Sequence, residues 1–203
     1  MRIRQHVNPL GAGFAEFRGE RPVWPENAPV EVEVGCADAQ FLFERATVDP
    51  DRFYIGIDIR DRVVDWVNDK ARAAAVPVAA VFCSANHHLA DLIPEAGAAR
   101  VYVNFPDPWF KSRHHKRRMV DDALASAIAR ILAPGGELFF QSDVWPVALD
   151  ALAILERHDH AFENLAGEWS FWKSGNPYGA RSWREASCEA AGSEIWRIRY
   201  RRR

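Results

Sequence analysis

The chain predicts an α/β protein built on a parallel, doubly wound sheet. Three observations point there. Short apolar runs alternate with helical patterns from residue 30 to residue 143, the signature of repeated β-α-β units. Candidate polar residues gather at the carboxyl ends of those runs, where such sheets bind ligands. The composition, 203 residues with 48% hydrophobic and 27% charged, suits one domain with a real core.

Residues 1–29 hold Pro9, Pro22, Pro25 and Pro29 with scattered glycines, so they read as an irregular N-terminal arm, and residues 30–203 as a single domain. VEVEV (30–34) is the first strand. A helical stretch over 37–46 leads to RFYIGID (52–58), the second strand. Val63, Val64 and Val67 mark the next helix, PVAAVF (77–82) the third strand, and a short helix follows near Ala90. RVYVNF (100–105) is the fourth strand. A helix over 121–132 stops at the APGG turn, where Pro134 and Gly135 are strong breakers, and ELFFQSD (137–143) is the fifth strand.

Composition narrows the function. The longest apolar run, residues 73–83, is too short to span a bilayer and is broken by Pro77; MRIRQHVNPL lacks an apolar signal segment. A soluble cytoplasmic protein with no membrane partner is expected. Cys36, Cys83 and Cys188 are odd in number and far apart, so they read as reduced, buried thiols rather than a disulfide framework or zinc site. The net charge is −2, yet residues 111–118 and 197–203 each hold five Lys or Arg, and removing those ten positive charges leaves −12. An acidic body with two basic patches steers an anionic partner to the patches. The C-terminal cluster reads equally well as a solubilising tail.

Between the first strand and its helix, EVGCADAQ supplies Gly35 for a tight turn but not the G-x-G-x-x-G of dinucleotide sites, which disfavours NAD. S-adenosylmethionine (SAM) carries no phosphate and asks for less backbone approach. Asp58, 23 residues after Gly35, suits its ribose hydroxyls; Asp58 and Asp61 also suit helix N-caps. Glu33, taken alone, pairs with Glu31 as the polar face of an exposed strand. Asp143 in QSDVWP lies near the same rim as Asp107, or caps a helix. The histidine pairs 87/88 and 114/115 lack carboxylate partners at ligand spacing, so no metal is expected. Tryptophans are mostly core residues; Trp109, beside the basic run, is the candidate for stacking on a base. Asp107 itself is framed by Pro106 and Pro108, which restrict the backbone around it.

FPDPWFKSRHHKRR (105–118) resembles the signature of the tRNA (guanine-N7)-methyltransferase family. The resemblance extends to EVG (33–35), GID (56–58), GGELFFQSD (135–143) and SWRE (182–185), followed by Gly192 and Trp196 at the family's spacing. It implies a Rossmann-like SAM-dependent methyltransferase with a mostly parallel sheet and an antiparallel C-terminal edge near 194–200. It implies SAM as cofactor and guanine N7 in tRNA, at position 46 of the variable loop, as the methyl acceptor. Glu33, Gly35, Asp58, Ser84, Asn86 and Asp107 would bind SAM or shape its site, with Asp107 also the catalytic carboxylate. Lys111, Arg113, Lys116, Arg117 and Arg118 would meet tRNA phosphates, and Lys111, Asp143, Ser182 and Glu185 would hold the guanosine. The protein would be a monomer or homodimer. Two glycines usual in the family's first turn are here Ala37 and Ala39, and a positive φ at either costs an alanine about 1–2 kcal/mol. Ser84 stands where an acid is usual, with Asn86 close by, and Ser182 stands for a threonine. Two other readings start from the same residues. NFPDPW is loosely like the N-P-P-Y stretch of enzymes that methylate exocyclic amines, and without the glycines the chain could be an RNA-binding module.

Overall fold

The computed structural model describes residue 7 and residues 22–25, 27–110 and 117–203. Its elements run β1 (Val30–Val34), α1 (Gln40–Val48), β2 (Phe53–Asp58), α2 (Asp61–Ala74), β3 (Val78–Phe82), α3 (Ala85–Leu92), β4 (Ala98–Asn104), α4 (Asp122–Ile131), β5 (Leu132–Ser142), α5 (Trp145–Glu156), β6 (Phe162–Asn164), α6 (Trp183–Ala190) and β7 (Trp196–Arg202). One seven-stranded sheet has the order β3-β2-β1-β4-β5-β7-β6. β1 to β5 pair in parallel, and β7 runs antiparallel between β5 and β6. The order reverses between β1 and β4, so the expected ligand crevice opens above those two strands.

Side-chain alternation assigns the two faces of the sheet. Val30, Val32 and Val34 join the core shared with α3, α4 and α5, while α1 and α2 cover the opposite face through Phe41, Leu42, Val64 and Val67. Glu31 and Glu33 belong to that second face. The expectation of an exposed polar strand face is therefore corrected: β1 is buried along its whole length, and both carboxylates are at most 2% exposed. Glu31 is neutralised there by Arg45 at 3.1 Å, Arg100 at 2.5 Å and Arg52 at 3.4 Å, and it accepts the Tyr102 hydroxyl at 2.8 Å.

Two further expectations change. APGG is no free turn but the irregular start of β5, where pairing with β4 slips between Ala98 and Arg100 and Gly135 takes φ 78°. The C-terminal arginines are no tail. Four of the five sit on β7, where Arg199 pairs with Glu137 at 2.9 Å and Arg197 with Glu185 at 3.1 Å, while Arg202 donates to the Ala129 carbonyl at 2.8 Å; Arg203, just beyond, donates to the Asp159 carbonyl at 2.8 Å.

Candidate active site

A cavity of about 930 Å³ lies over the β1/β4 reversal, at the top of the range for small-molecule sites and roomy enough for a nucleoside-sized cofactor beside a base. α1, α2, α3 and α5 all begin at this rim with no hydrogen bond from the N-cap side chain, so positive helix ends face the region. The N-cap alternative for Asp58 and Asp143 falls, since the capping positions are Arg60 and Val144. Every residue expected at the cofactor, namely Glu33, Gly35, Asp58, Ser84, Asn86 and Asp107, lines this one cavity.

Glu33 is a buried carboxyl on its wall. Oε1 accepts the Asn104 amide at 2.7 Å, but Oε2 has no partner among the described residues. Burial pushes its pKa up to about 8, opposed by the Asn104 hydrogen bond and helped by the Asp38 and Asp58 carboxylates. A buried carboxyl oxygen left open on a cavity wall fits a cationic amino group, which SAM carries and whose charge favours release of the Glu33 proton to solvent. Asp58 Oδ2 accepts Ala37 N–H at 3.1 Å and both carboxylate oxygens meet Arg60, at 2.6–2.8 Å from its guanidinium, so it fixes the turn after β1. The site therefore fits the cofactor at its carboxylates. Because native Glu33 holds a proton that the unfolded chain releases, its stabilising contribution is complete below about pH 4.5 and disappears as pH rises through about 8. Melting temperatures of the ligand-free protein should fall more steeply between pH 5.5 and 8.5 than those of Glu33→Gln; parallel curves would contradict the assignment.

The loop after β4 is strained and clamped. Phe105 and Trp109, on either side of Pro106-Asp107-Pro108, take φ values of 50° and 43°, and Phe105 does so although a residue before proline is expected to be extended. Non-glycine residues hold such geometry only where surroundings over-determine it. Here Phe105 N–H donates to the Gln141 carbonyl at 2.8 Å, and the Arg117 guanidinium stands 4.9 Å from the Trp109 ring centre. Arg118 Nε donates to the Pro108 carbonyl at 3.3 Å while its far end pairs with Asp150 and reaches the Pro146 carbonyl. Asp107 stays exposed on the cavity wall and takes no hydrogen bond from the described residues.

A buried chain of amides and charges links this floor to α6. Asn104 Oδ1 accepts Gln141 Nε2 at 3.0 Å, and the same Nε2 donates to Glu185 Oε2 at 2.9 Å. Arg197 binds both Gln141 Oε1 and Glu185 Oε1 at 3.1 Å. Ser182 caps α6 by accepting Glu185 N–H at 3.1 Å. Among the described residues, no group of His, Cys, Asp or Glu is placed to hold a metal, and no helix is long and apolar enough to cross a membrane. The Cys36 thiol on the cavity wall is pushed well up by burial, which disfavours a thiolate nucleophile.

Residues 27–198 match the family described as "Putative methyltransferase". The chain is 35% identical over 209 residues to the tRNA (guanine-N(7)-)-methyltransferase of Synechococcus sp. (strain CC9311), covering 98% of this chain and 87% of that protein. It is 32% identical to the enzyme of the same name from Nostoc sp. (strain PCC 7120 / SAG 25.82 / UTEX 2576), covering 100% and 94%. The chain belongs to the tRNA (guanine-N(7)-)-methyltransferase family. Its fold is also that of the 16S rRNA methyltransferase KamB, with a TM-score of 0.62 at 13% identity over 86% of this chain and 87% of that one.

In this methyltransferase the expected substrate residues divide. Asp143, Ser182 and Arg117 line the cavity with the cofactor residues. Glu185 does not reach it: fully buried, it anchors α6 from behind. Arg118 turns inward to the clamp on Pro108, its side chain 9% exposed. Lys111, Arg113 and Lys116 lie outside the described residues. Sequence reasoning passed over Arg60, Asn104, Gln141 and Arg184, the last of which pairs with Asp143. A lone amide inside each of the apolar strands RVYVNF and ELFFQSD was the available signal.

The two departures from glycine are real strain, since Ala37 and Ala39 adopt φ 48° and 51°. Ala37→Gly should stabilise the methyltransferase by about 1 kcal/mol, the left-handed strain relieved less glycine's greater unfolded freedom. At Ala39 the methyl is fully buried, and losing about 0.8 kcal/mol of burial should leave Ala39→Gly near neutral. Denaturant midpoints decide both; a destabilised Ala37→Gly variant would contradict the strain.

Proposed function

We propose that the protein methylates N7 of guanine in tRNA, using SAM, and that Asp107 is the catalytic carboxylate. The observation that carries this reading is a rigid, exposed carboxylate with no hydrogen-bond partner among the described residues, on the wall of the cavity that also holds Glu33 and Asp58. SAM supplies an electrophilic methyl group on a sulfonium. Guanine N7 is an acceptor with a free lone pair, so the reaction asks for no general base, and the chain's task is to position and to balance charge.

Glu33 receives the cofactor's amino group, Asp58 its ribose, and Gly35, Ser84 and Asn86 shape the walls around it. Asp107 orients the guanine and offsets the positive charge that develops on its imidazole ring. Asp143 and Ser182 face the base from the α5 and α6 side. Arg118 and Glu185 act from behind, the one holding the Asp107 loop and the other holding α6. A protein that works on tRNA belongs in the cytoplasm. Methyl-labelled SAM incubated with unmodified tRNA tests the reading: label should pass to the tRNA, and unlabelled tRNA would defeat it.

Lys111, Arg113 and Lys116 bind the tRNA phosphates. Replacing all three by Ala should weaken tRNA binding and lower its salt dependence by about 0.7–0.9 log units for each phosphate no longer neutralised. SAM affinity should not change. An unchanged salt slope would remove these residues from the interface.

A further inference from the structure

We propose that Trp183 is the stacking platform on which the target guanine rests. Its indole is 58% exposed and makes no ring contact or hydrogen bond among the described residues. Other tryptophans are occupied: Trp109 by Arg117, Trp172 by Arg199, Trp66 by Lys70 and Trp145 by Trp196. Trp169 is as exposed but lies away from the cavity, whereas Trp183 lines it. An uncovered indole on a cavity wall is unused apolar area with a flat π-face, the surface that a base removed from its stack requires.

Its mounting suits the task. Trp183 opens α6 between Ser182, which caps the helix, and Arg184, which pairs with Asp143. Two residues on, Glu185 fastens α6 through Gln141 and Asn104 to Glu33 on the cofactor side. The platform is thus held in fixed relation to the cavity floor. Stacking alone accepts any base; the Asp107 and Asp143 carboxylates on the same cavity add acceptors for the N–H donors of guanine. Platform and carboxylates together select a purine bearing donors.

This inference rests on the guanine-methylation reading, and the experiment separates the two. Trp183→Ala and Trp183→Leu should lower kcat/KM for tRNA roughly 10- to 100-fold, with melting temperature and SAM affinity unchanged, while Trp183→Phe, which keeps a π-face, recovers most of the rate. In parallel, tRNA carrying 2-aminopurine in place of the guanine at position 46 should be quenched on binding the wild-type protein and not on binding Trp183→Ala. Wild-type kcat/KM in Trp183→Ala, recovery by Leu equal to that by Phe, or equal quenching by both proteins overturns the platform. Failure of the wild type to methylate tRNA overturns the parent reading, and the quenching comparison, which needs binding only, still decides the stacking.

Discussion

Asp107→Asn should lower methyl transfer to tRNA by roughly 100- to 1,000-fold, the scale on which one preorganised electrostatic group acts in a transition state. The substitution keeps shape and removes charge. Phe105 and Trp109 hold left-handed backbone on either side of the segment, and Arg117 and Arg118 clamp it, so an amide at 107 sits where the carboxylate sat. tRNA docking through the basic run is left intact. The loss should therefore fall on kcat and kcat/KM alike, as for an interaction made chiefly in the transition state. Because N7 carries no proton, the wild-type rate should require no base titrating near neutrality. Full activity in Asp107→Asn, measured in single-turnover assays beside filter binding of tRNA, contradicts the role.

Glu31→Ala should cost about 3–5 kcal/mol of folding stability, the penalty for removing one side of a buried ion pair. Arg45 is 4% exposed and would keep only the more exposed Asp49, at 3.4 Å, as counter-charge, while the buried Tyr102 hydroxyl would lose its acceptor. For a chain of this size the melting temperature should drop by roughly 6–20 °C. Glu33 lies two residues along the same face, so the pair separates two uses of one residue type: Glu31 is fully satisfied inside the fold, and Glu33 keeps one oxygen open to the cavity. A change below about 1 kcal/mol would mean that solvent or other groups compensate the arginines.

The contrast marks what the sequence could carry. VEVEV showed which residues share a face, because alternation is a property of the strand itself. It did not show what covers that face, because α1 and α2 come from elsewhere in the chain. The five parallel strands and their rim residues were legible for the same local reason, and the antiparallel edge through the family resemblance. The basic run resisted in another way. A count of charges does not say which arginine folds back, and Arg118, read as a phosphate ligand, reaches Pro108 and Asp150 instead. Glu185 was placed with the guanosine by its motif, yet its partners Gln141 and Arg197 are contributed by strands 44 and 12 residues away. Left-handed geometry at Ala37 and Ala39 was foreseeable only as a condition, since alanine carries no sign of its φ.

The position of the transferred methyl tests the central claim most directly. tRNA modified by the protein with labelled SAM can be reduced and cleaved at N7-methylguanosine, and the fragments sized and counted. Cleavage at one guanosine is expected, with the label leaving the RNA on the base released at that site. Label on an exocyclic amine, or tRNA that resists cleavage after taking up methyl, would contradict it.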